Sequence, residues 1–439
     1  MPLAIRTRTR PGPRQSRLRR EPNRFKRLFQ ILGPGLITGA SDDDPSGVGT
    51  YSIAGAALGY QLLWVGLYSI PLMVTVQTMV SRLGLVTGDA LATTLRRHYS
   101  IWLLYPLVLG LVVSNTITAG ADLGAIGEAV HLFAPLPGQA VVIVVAIGIV
   151  AGLALGGYGL INRTFKWLTL VLFAYVGAGL LARPDPGAVL RGTFLPTLSF
   201  DQDSLSNVVA LLGATVSPYM LFWQSQEEVE DEVELGRTSR RSREGTTRTE
   251  LRYAFWDVTV GMVFSQLITF FVQLATAATL NQQGRTDIES AGQAAEALRP
   301  LAGDAAGLLF AIGIIGAGCL AVPILLSGAA FAVANTFGWR SGLEQRFETA
   351  PRFYATIGLL ALVGVGLSFV GINPIHALFL ASLIFGLLTP PLVVVLLLIM
   401  NRKQIMGRYT NGPWLNAFGI LALLTNTVAV VGFLLTGRG

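Results

Sequence analysis

A chain of 439 residues that is 52% hydrophobic and only 13% charged has about half the charge of an ordinary soluble domain, which excludes a soluble globular fold and points to a membrane protein. Its net charge of +7, from 32 Lys and Arg against 25 Asp and Glu, reports topology in such a chain, so no nucleic-acid partner is expected. The one cysteine, Cys319, leaves no intrachain disulfide or cysteine metal site and reads as a small packing residue.

Residues 1–28 are rich in Arg and Pro and lack the apolar core of a signal peptide, so they are expected to form a disordered basic tail near cytoplasmic headgroups. Hydropathy then predicts about eleven membrane helices, near 29–57, 61–82, 101–130, 139–158, 164–183, 205–226, 253–280, 305–337, 352–371, 374–400 and 413–436. Alternating strand patterns are absent, so a barrel is not expected.

Basic residues set the orientation. Arg82, Arg96 and Arg97 follow the second span, Arg163 and Lys166 fall between the fourth and fifth, and Arg240, Arg241 and Arg243 follow the sixth. Arg340, Arg346 and Arg352 lie before the ninth, and Arg402, Lys403 and Arg408 before the eleventh. All fall on the side of the basic N-terminus, which predicts a multi-pass plasma-membrane protein with its N-terminus inside and its C-terminus outside. The largest inner loop, 227–252, is an acidic block followed by a basic one and reads as solvated, with a helical extension of the sixth span at its start.

The first span carries Asp42, Asp43 and Asp44 directly before Pro45. A carboxylate at the centre of a span costs about 2.5–3.5 kcal/mol on insertion scales, so this segment must face protein or water. Pro45 removes a backbone donor and drives Asp44 out of helical geometry, while Gly47 and Gly49 loosen the next turn. Asp44, at the break, is the leading ligand candidate. Asp42 and Asp43 are expected to line an aqueous path, pair with polar groups or add negative potential for a cation.

The sixth span has a matching interruption at "GATVSPYM", where Pro218 follows Ser217. Paired breaks predict two inverted five-helix halves, 29–183 and 205–400, around a midplane site. An extracytoplasmic segment, 184–204, joins them, and 401–439 adds a connection and the eleventh span. Pro71 and Pro323 read as ordinary kinks.

These residues together resemble the NRAMP family of divalent metal transporters. The family's pattern runs from Gly-Pro-Gly through eight residues to Asp-Pro-Gly-Asn, then Ala-Gly-Ala and Gly-Tyr-x-Leu-Leu-Trp. Here Gly33-Pro34-Gly35 leads to Asp44-Pro45-Ser46-Gly47, "AGA" at 54–56 and "GYQLLW" at 59–64. "RLGLVTG" at 82–88 and "GATVSP" at 213–218 extend the similarity to the sixth span. The resemblance implies an all-α LeuT-like fold with a 5+5 inverted repeat and discontinuous first and sixth helices.

It also implies a metal site in which Asp44 keeps the family's aspartate and Ala214 its carbonyl, while Gly47 stands for the asparagine and Ser217 for the methionine. Without the thioether the remaining oxygen ligands suit Mg²⁺ or Mn²⁺, and fewer side-chain ligands leave room for the waters that Mg²⁺ retains. In this the chain is similar to the NRAMP-related magnesium transporters. The family's proton pathway is altered as well. Tyr219 replaces a histidine, Asp122 is kept, Ala125 replaces a glutamate with Glu128 one turn on, and a polar ligand of the tenth span falls near Ser382. Proton coupling is therefore not expected.

His98, His131 and His376 lie at predicted span ends and read as interfacial, and Asn207, Thr215 and Gln224 are the polar residues of the sixth span that could reach a cavity. No nucleotide-binding loop appears, so neither ATP-driven pumping nor an enzyme is expected, and no resident cofactor is required beyond the transported ion. The sequence thus predicts an alternating-access secondary transporter whose partners are a divalent cation, Mg²⁺ or Mn²⁺, and the bilayer. A proton-coupled Mn²⁺/Fe²⁺ importer, a non-transporting sensor acting through the 227–252 loop, and an organic-cation or amino-acid transporter on the same fold compete with it. Oligomeric state is not legible in the sequence.

Overall fold

The computed structural model describes residues 33–197, 202–215, 217–285, 288, 294–295, 304–369 and 374–436. The basic tail expected over 1–28 lies outside them. Among the described residues the regular structure is entirely helical.

The first span consists of α1 (Pro34–Asp42) and α2 (Pro45–Leu58), and a 3-10 turn at Gly59–Leu62 leads into α3 (Leu63–Thr87). α4 (Leu91–His98) is a short amphipathic helix before α5 (Ile101–His131) and α6 (Gly138–Leu155). α7 (Gly157–Val171) and α8 (Phe173–Leu181) form the fifth span, and α9 (Pro186–Phe194) occupies the segment expected as a loop over 184–204. The sixth span divides into α10 (Gln202–Thr215) and α11 (Pro218–Glu234). Five long helices follow: α12 (Arg248–Thr279), α13 (Asp304–Phe337), α14 (Pro351–Phe369), α15 (Pro374–Asn401) and α16 (Pro413–Thr436).

Local chemistry accounts for many of the helix starts. Pro34, Pro45, Pro186 and Pro218 each stand in a first turn, where a missing N–H costs nothing. α12 opens on a reciprocal capping box between Thr247 and Glu250.

Nine helical runs among the described residues are long and apolar enough to cross a membrane. The expectation of about eleven differs for two physical reasons. α2 and α3 are continuous through the 3-10 turn and count once, and the sixth span is divided by its break and ends in acids. Arg163 and Lys166 were expected in a loop between spans; they lie inside α7, because the turn falls earlier, at Gly156.

α12 forms the centre of the packing, crossing α1, α2 and α3, while α13 packs along α5. The α1–α12 crossing is close because it is made of glycines. A Cβ added to Gly39 would stand 2.2 Å from the Gly261 carbonyl oxygen, and one added to Gly261 would stand 2.0 Å from that of Gly35. Large apolar side chains such as Trp102, Leu109, Val144, Trp167, Leu362 and Val428 cover the outside, as a lipid-facing surface requires.

The basic segments meet at one end of the molecule. Arg240 donates to Asp89 at 2.8 Å, Arg82 to the Tyr409 carbonyl at 2.7 Å, and the Tyr409 hydroxyl to the Thr246 carbonyl at 2.7 Å. The acidic block of the 227–252 loop, expected to be solvated, is instead mostly buried: Glu227, Glu228, Glu230 and Glu232 are all at most 6% exposed. Each finds a donor. Thr38 bonds Glu227, Ser81 and Gln224 bond Glu228, Gln226 and the Leu343 amide bond Glu230, and Arg237 pairs with Glu232. Burial pushes the Glu230 carboxyl up to about 7, against the lowering pull of its two donors.

Candidate metal centre

The first span breaks where the sequence places it. α1 ends at Asp42, Asp43 leaves helical geometry at φ −87°, ψ 48°, and Asp44 is extended at φ −65°, ψ 161°. Asp44 then caps α2. Its Oδ1 accepts from the Gly47 amide at 2.5 Å and from the Ser46 hydroxyl at 2.7 Å, so its charge sits at the positive end of a helix. Both bonds fall on Oδ1, which leaves Oδ2 available for a ligand.

Asp122, on α5, is fully buried, and its Oδ1 accepts from the Ser46 amide at 3.0 Å while its Oδ2 has no partner. Ser46 therefore ties two carboxylates together, one with its side chain and one with its backbone. Asp42 and Asp43 turn to α12. Asp42 Oδ2 accepts from Ser265 at 3.0 Å and Asp43 Oδ1 from Thr269 at 3.2 Å, and the second oxygen of each is buried without a partner. Among the described residues none of the four acids forms an ion pair with a basic side chain. Four buried acids held only by hydroxyls and amides gather oxygen acceptors at the centre of the molecule, the kind of lining that suits a cation.

At the second break Ser217 is extended at φ −73°, ψ 132°, and Pro218 begins α11. The Ser217 hydroxyl donates to the Ala214 carbonyl at 3.1 Å, so the two ligands expected from the sixth span are bonded to each other. Both oxygens keep lone pairs for a cation. The Tyr219 hydroxyl donates to the Ser41 carbonyl at 2.8 Å, closing one of the carbonyls freed at the end of α1. Tyr219 thus fastens one break to the other. Among the described residues no three His, Cys, Asp or Glu side chains converge to hold a metal by themselves. A cation held here would need backbone carbonyls, hydroxyls or water to complete its shell.

Two expected positions change role. Gly47 directs its amide N–H at Asp44, so it supports the carboxylate as a donor and offers that atom to no cation. Glu128 is exposed on α5, whereas Asp122 is buried. The side chains of Ser382, Thr215 and His376 lie outside the described residues. Gln224 bonds Glu228 below the break, and His98 and His131 are exposed.

Sequence reasoning missed Ser46, and it missed Asp257 on α12. The Asp257 carboxylate accepts from the amides of Gly33 at 2.7 Å, Gly35 at 2.9 Å and Leu36 at 3.3 Å, capping α1 from another helix. It also missed Ser265 and Thr269. Their spacing of four along an apolar helix was the one signal that a polar face looks inward.

The model of the family described as natural resistance-associated macrophage protein-like matches residues 35–436. Among curated proteins, the divalent metal cation transporter MntH of Brucella suis biovar 1 (strain 1330) is 27% identical over 426 residues, covering 95% of this chain and 90% of that protein. MntH of Bacillus subtilis (strain 168) is 26% identical, covering 93% of each. Among solved structures, a manganese transporter of Eremococcus coleocola superposes with a TM-score of 0.74 at 19% identity, over 99% of this chain and 90% of that one. Mhp1, a nucleobase-cation-symport-1 family transporter, superposes with a TM-score of 0.59 at 13% identity, over 93% of this chain and 92% of that one.

Proposed function

We propose a function for this chain, which belongs to the Nramp family: it is a secondary transporter that carries a divalent metal cation, Mg²⁺ or Mn²⁺, across the plasma membrane by alternating access. The observation that carries the reading is the Asp44–Ser46–Asp122 constellation at the helix break, two buried carboxylates joined through one serine, with both Asp44 bonds on Oδ1, Asp122 Oδ2 buried without a partner, and no basic side chain paired to either among the described residues.

In this reading Asp44 Oδ2 is the principal charged ligand, the Ala214 carbonyl and the Ser217 hydroxyl bind directly or through water, and Asp42 and Asp43 add negative potential. The donor set is all oxygen. Such a set favours hard cations, and its small number of side-chain ligands favours an ion that keeps part of its water. Alternating access moves the halves 29–183 and 205–400 against each other around this site, with the N-terminus cytoplasmic and the C-terminus outside.

The test is uptake into proteoliposomes of Mg²⁺, Mn²⁺ and Cd²⁺ at fixed membrane potential, for the wild type and Asp44→Ala. Saturable Mg²⁺ or Mn²⁺ uptake that falls at least tenfold in the variant is expected; normal transport by the variant, or no transport by a folded wild type, overturns the mechanism. A second reading, a proton-coupled Mn²⁺ importer, draws on the names of the relatives and on Asp122, a titratable group tied to the break. Strong competition by Cd²⁺ together with a measurable proton flux favours it.

A further inference from the structure

A cleft of about 360 Å³ opens at the basic end of the molecule, lined by Arg82, Arg248, Leu251, Arg252, Arg408 and Tyr409. Four of the six residues are arginines and none is acidic. Among the described residues none of these arginines forms an ion pair. Arg82 is held in place by the Asn411 side chain at 3.3 Å and the Tyr409 carbonyl at 2.7 Å, and Arg408 bonds the Tyr409 hydroxyl at 2.9 Å while its guanidinium lies 5.0 Å from that ring's centre. Two guanidiniums are thus positioned by neutral acceptors. Arg248 and Arg252 stand exposed on the first turns of α12. Like charges gathered without a counterion repel one another, so the arrangement is completed by an anion, and the planar guanidinium fork matches the oxygens of phosphate.

The direction of α12 says where that phosphate comes from. From Arg248 and Arg252 the same helix face continues at intervals of three or four residues through Trp256, Val260, Val263 and Leu267, each between 38% and 55% exposed. An exposed apolar stripe of this length, with an aromatic residue near its end, faces lipid tails. The arginines lie one turn beyond Trp256, at the depth of the headgroups.

We propose that this cleft binds a phosphate group, presented by an anionic lipid of the leaflet that the basic end of the molecule faces. The two exposed arginines clamp the phosphate from α12, Arg82 and Arg408 complete the positive field, and Leu251 receives the start of the acyl region. Binding at this cleft ties α3, α12 and the connection before α16 to one ligand.

The experiment uses the full-length protein in neutral detergent, with unfolding followed by tryptophan fluorescence. Phosphatidylglycerol, phosphatidylcholine and inorganic phosphate are titrated separately against the wild type, Arg248→Gln/Arg252→Gln and Arg408→Gln. Phosphatidylglycerol is expected to raise the wild-type midpoint by about 3 °C or more, with a smaller shift at high salt and little effect from phosphatidylcholine. Both variants are expected to keep a ligand-free midpoint near that of the wild type and to lose most of the shift. An equal shift in wild type and variants overturns the site, because the anion then acts elsewhere on the chain. The absence of any shift in the wild type overturns it too. If inorganic phosphate reproduces the full shift and the variants abolish it, the phosphate chemistry stands and the lipid assignment falls.

Discussion

Ser46 donates through its hydroxyl to Asp44 and through its amide to Asp122, so one small side chain holds the acid of the break against the acid of α5. The backbone bond survives any substitution that preserves the turn; the hydroxyl bond does not. Ser46→Ala removes a hydrogen bond to a charged group, worth about 1.5–3 kcal/mol, so the half-saturating cation concentration for uptake is expected to rise about tenfold with the maximal rate less affected. Ser46→Thr, which keeps the hydroxyl, is expected to retain most of the affinity. An unchanged half-saturating concentration in Ser46→Ala would show that the hydroxyl does not position Asp44. At this scale the acids were legible in the sequence and the serine was not. A charge inside a span violates the hydropathy around it, whereas serine is common in membrane helices and conveys nothing until its neighbours are known.

At the scale of the element, α1 is a helix of 9 residues, too short to span, held by contacts from elsewhere. Asp257 of α12 accepts three of its N-terminal amides, Gly39 and Gly35 let its backbone approach α12 closely, and the Tyr219 hydroxyl closes a carbonyl at its far end. Both ends of the half-helix are therefore fastened. Asp257→Ala leaves those amides without their acceptor and removes a favourable charge from a helix N-terminus, at a cost of about 3 kcal/mol. The expected result is an unfolding midpoint several degrees below that of the wild type, with Asp257→Asn falling between the two. A midpoint equal to that of the wild type would mean that α1 is held by its glycine crossing alone. The sequence predicted the break that creates α1, since proline fixes it locally. It did not reveal the cap, which joins residues separated by more than 220 positions.

For the whole molecule, the helix ends and connections at one end carry most of the basic residues among the described ones, and the structure brings these segments into mutual contact. The positive-inside rule predicts that this end faces the cytoplasm. Glu348→Cys, exposed at this end, is expected to react with a membrane-impermeant thiol reagent only in inverted vesicles. Gln283→Cys, beyond the far end of α12, is expected to react only in right-side-out ones. The reverse pattern would invert the orientation and place the arginine cleft in the outer leaflet. By itself the sequence determined the membrane class, the two breaks, the presence of acids inside the spans, and the family resemblance, because proline geometry and the cost of charge in hydrocarbon act on residues near one another in the chain. Only the tertiary structure decided that Glu227, Glu228, Glu230 and Glu232 are buried, that Asp42 and Asp43 turn to α12, that Ser46 links Asp44 to Asp122, and that four arginines line one cleft. Each of those facts depends on which side chains meet across helices distant in sequence, and in a bundle of nearly uniform apolar composition, hydropathy marks which segments are apolar enough to cross but not which of their polar faces come together.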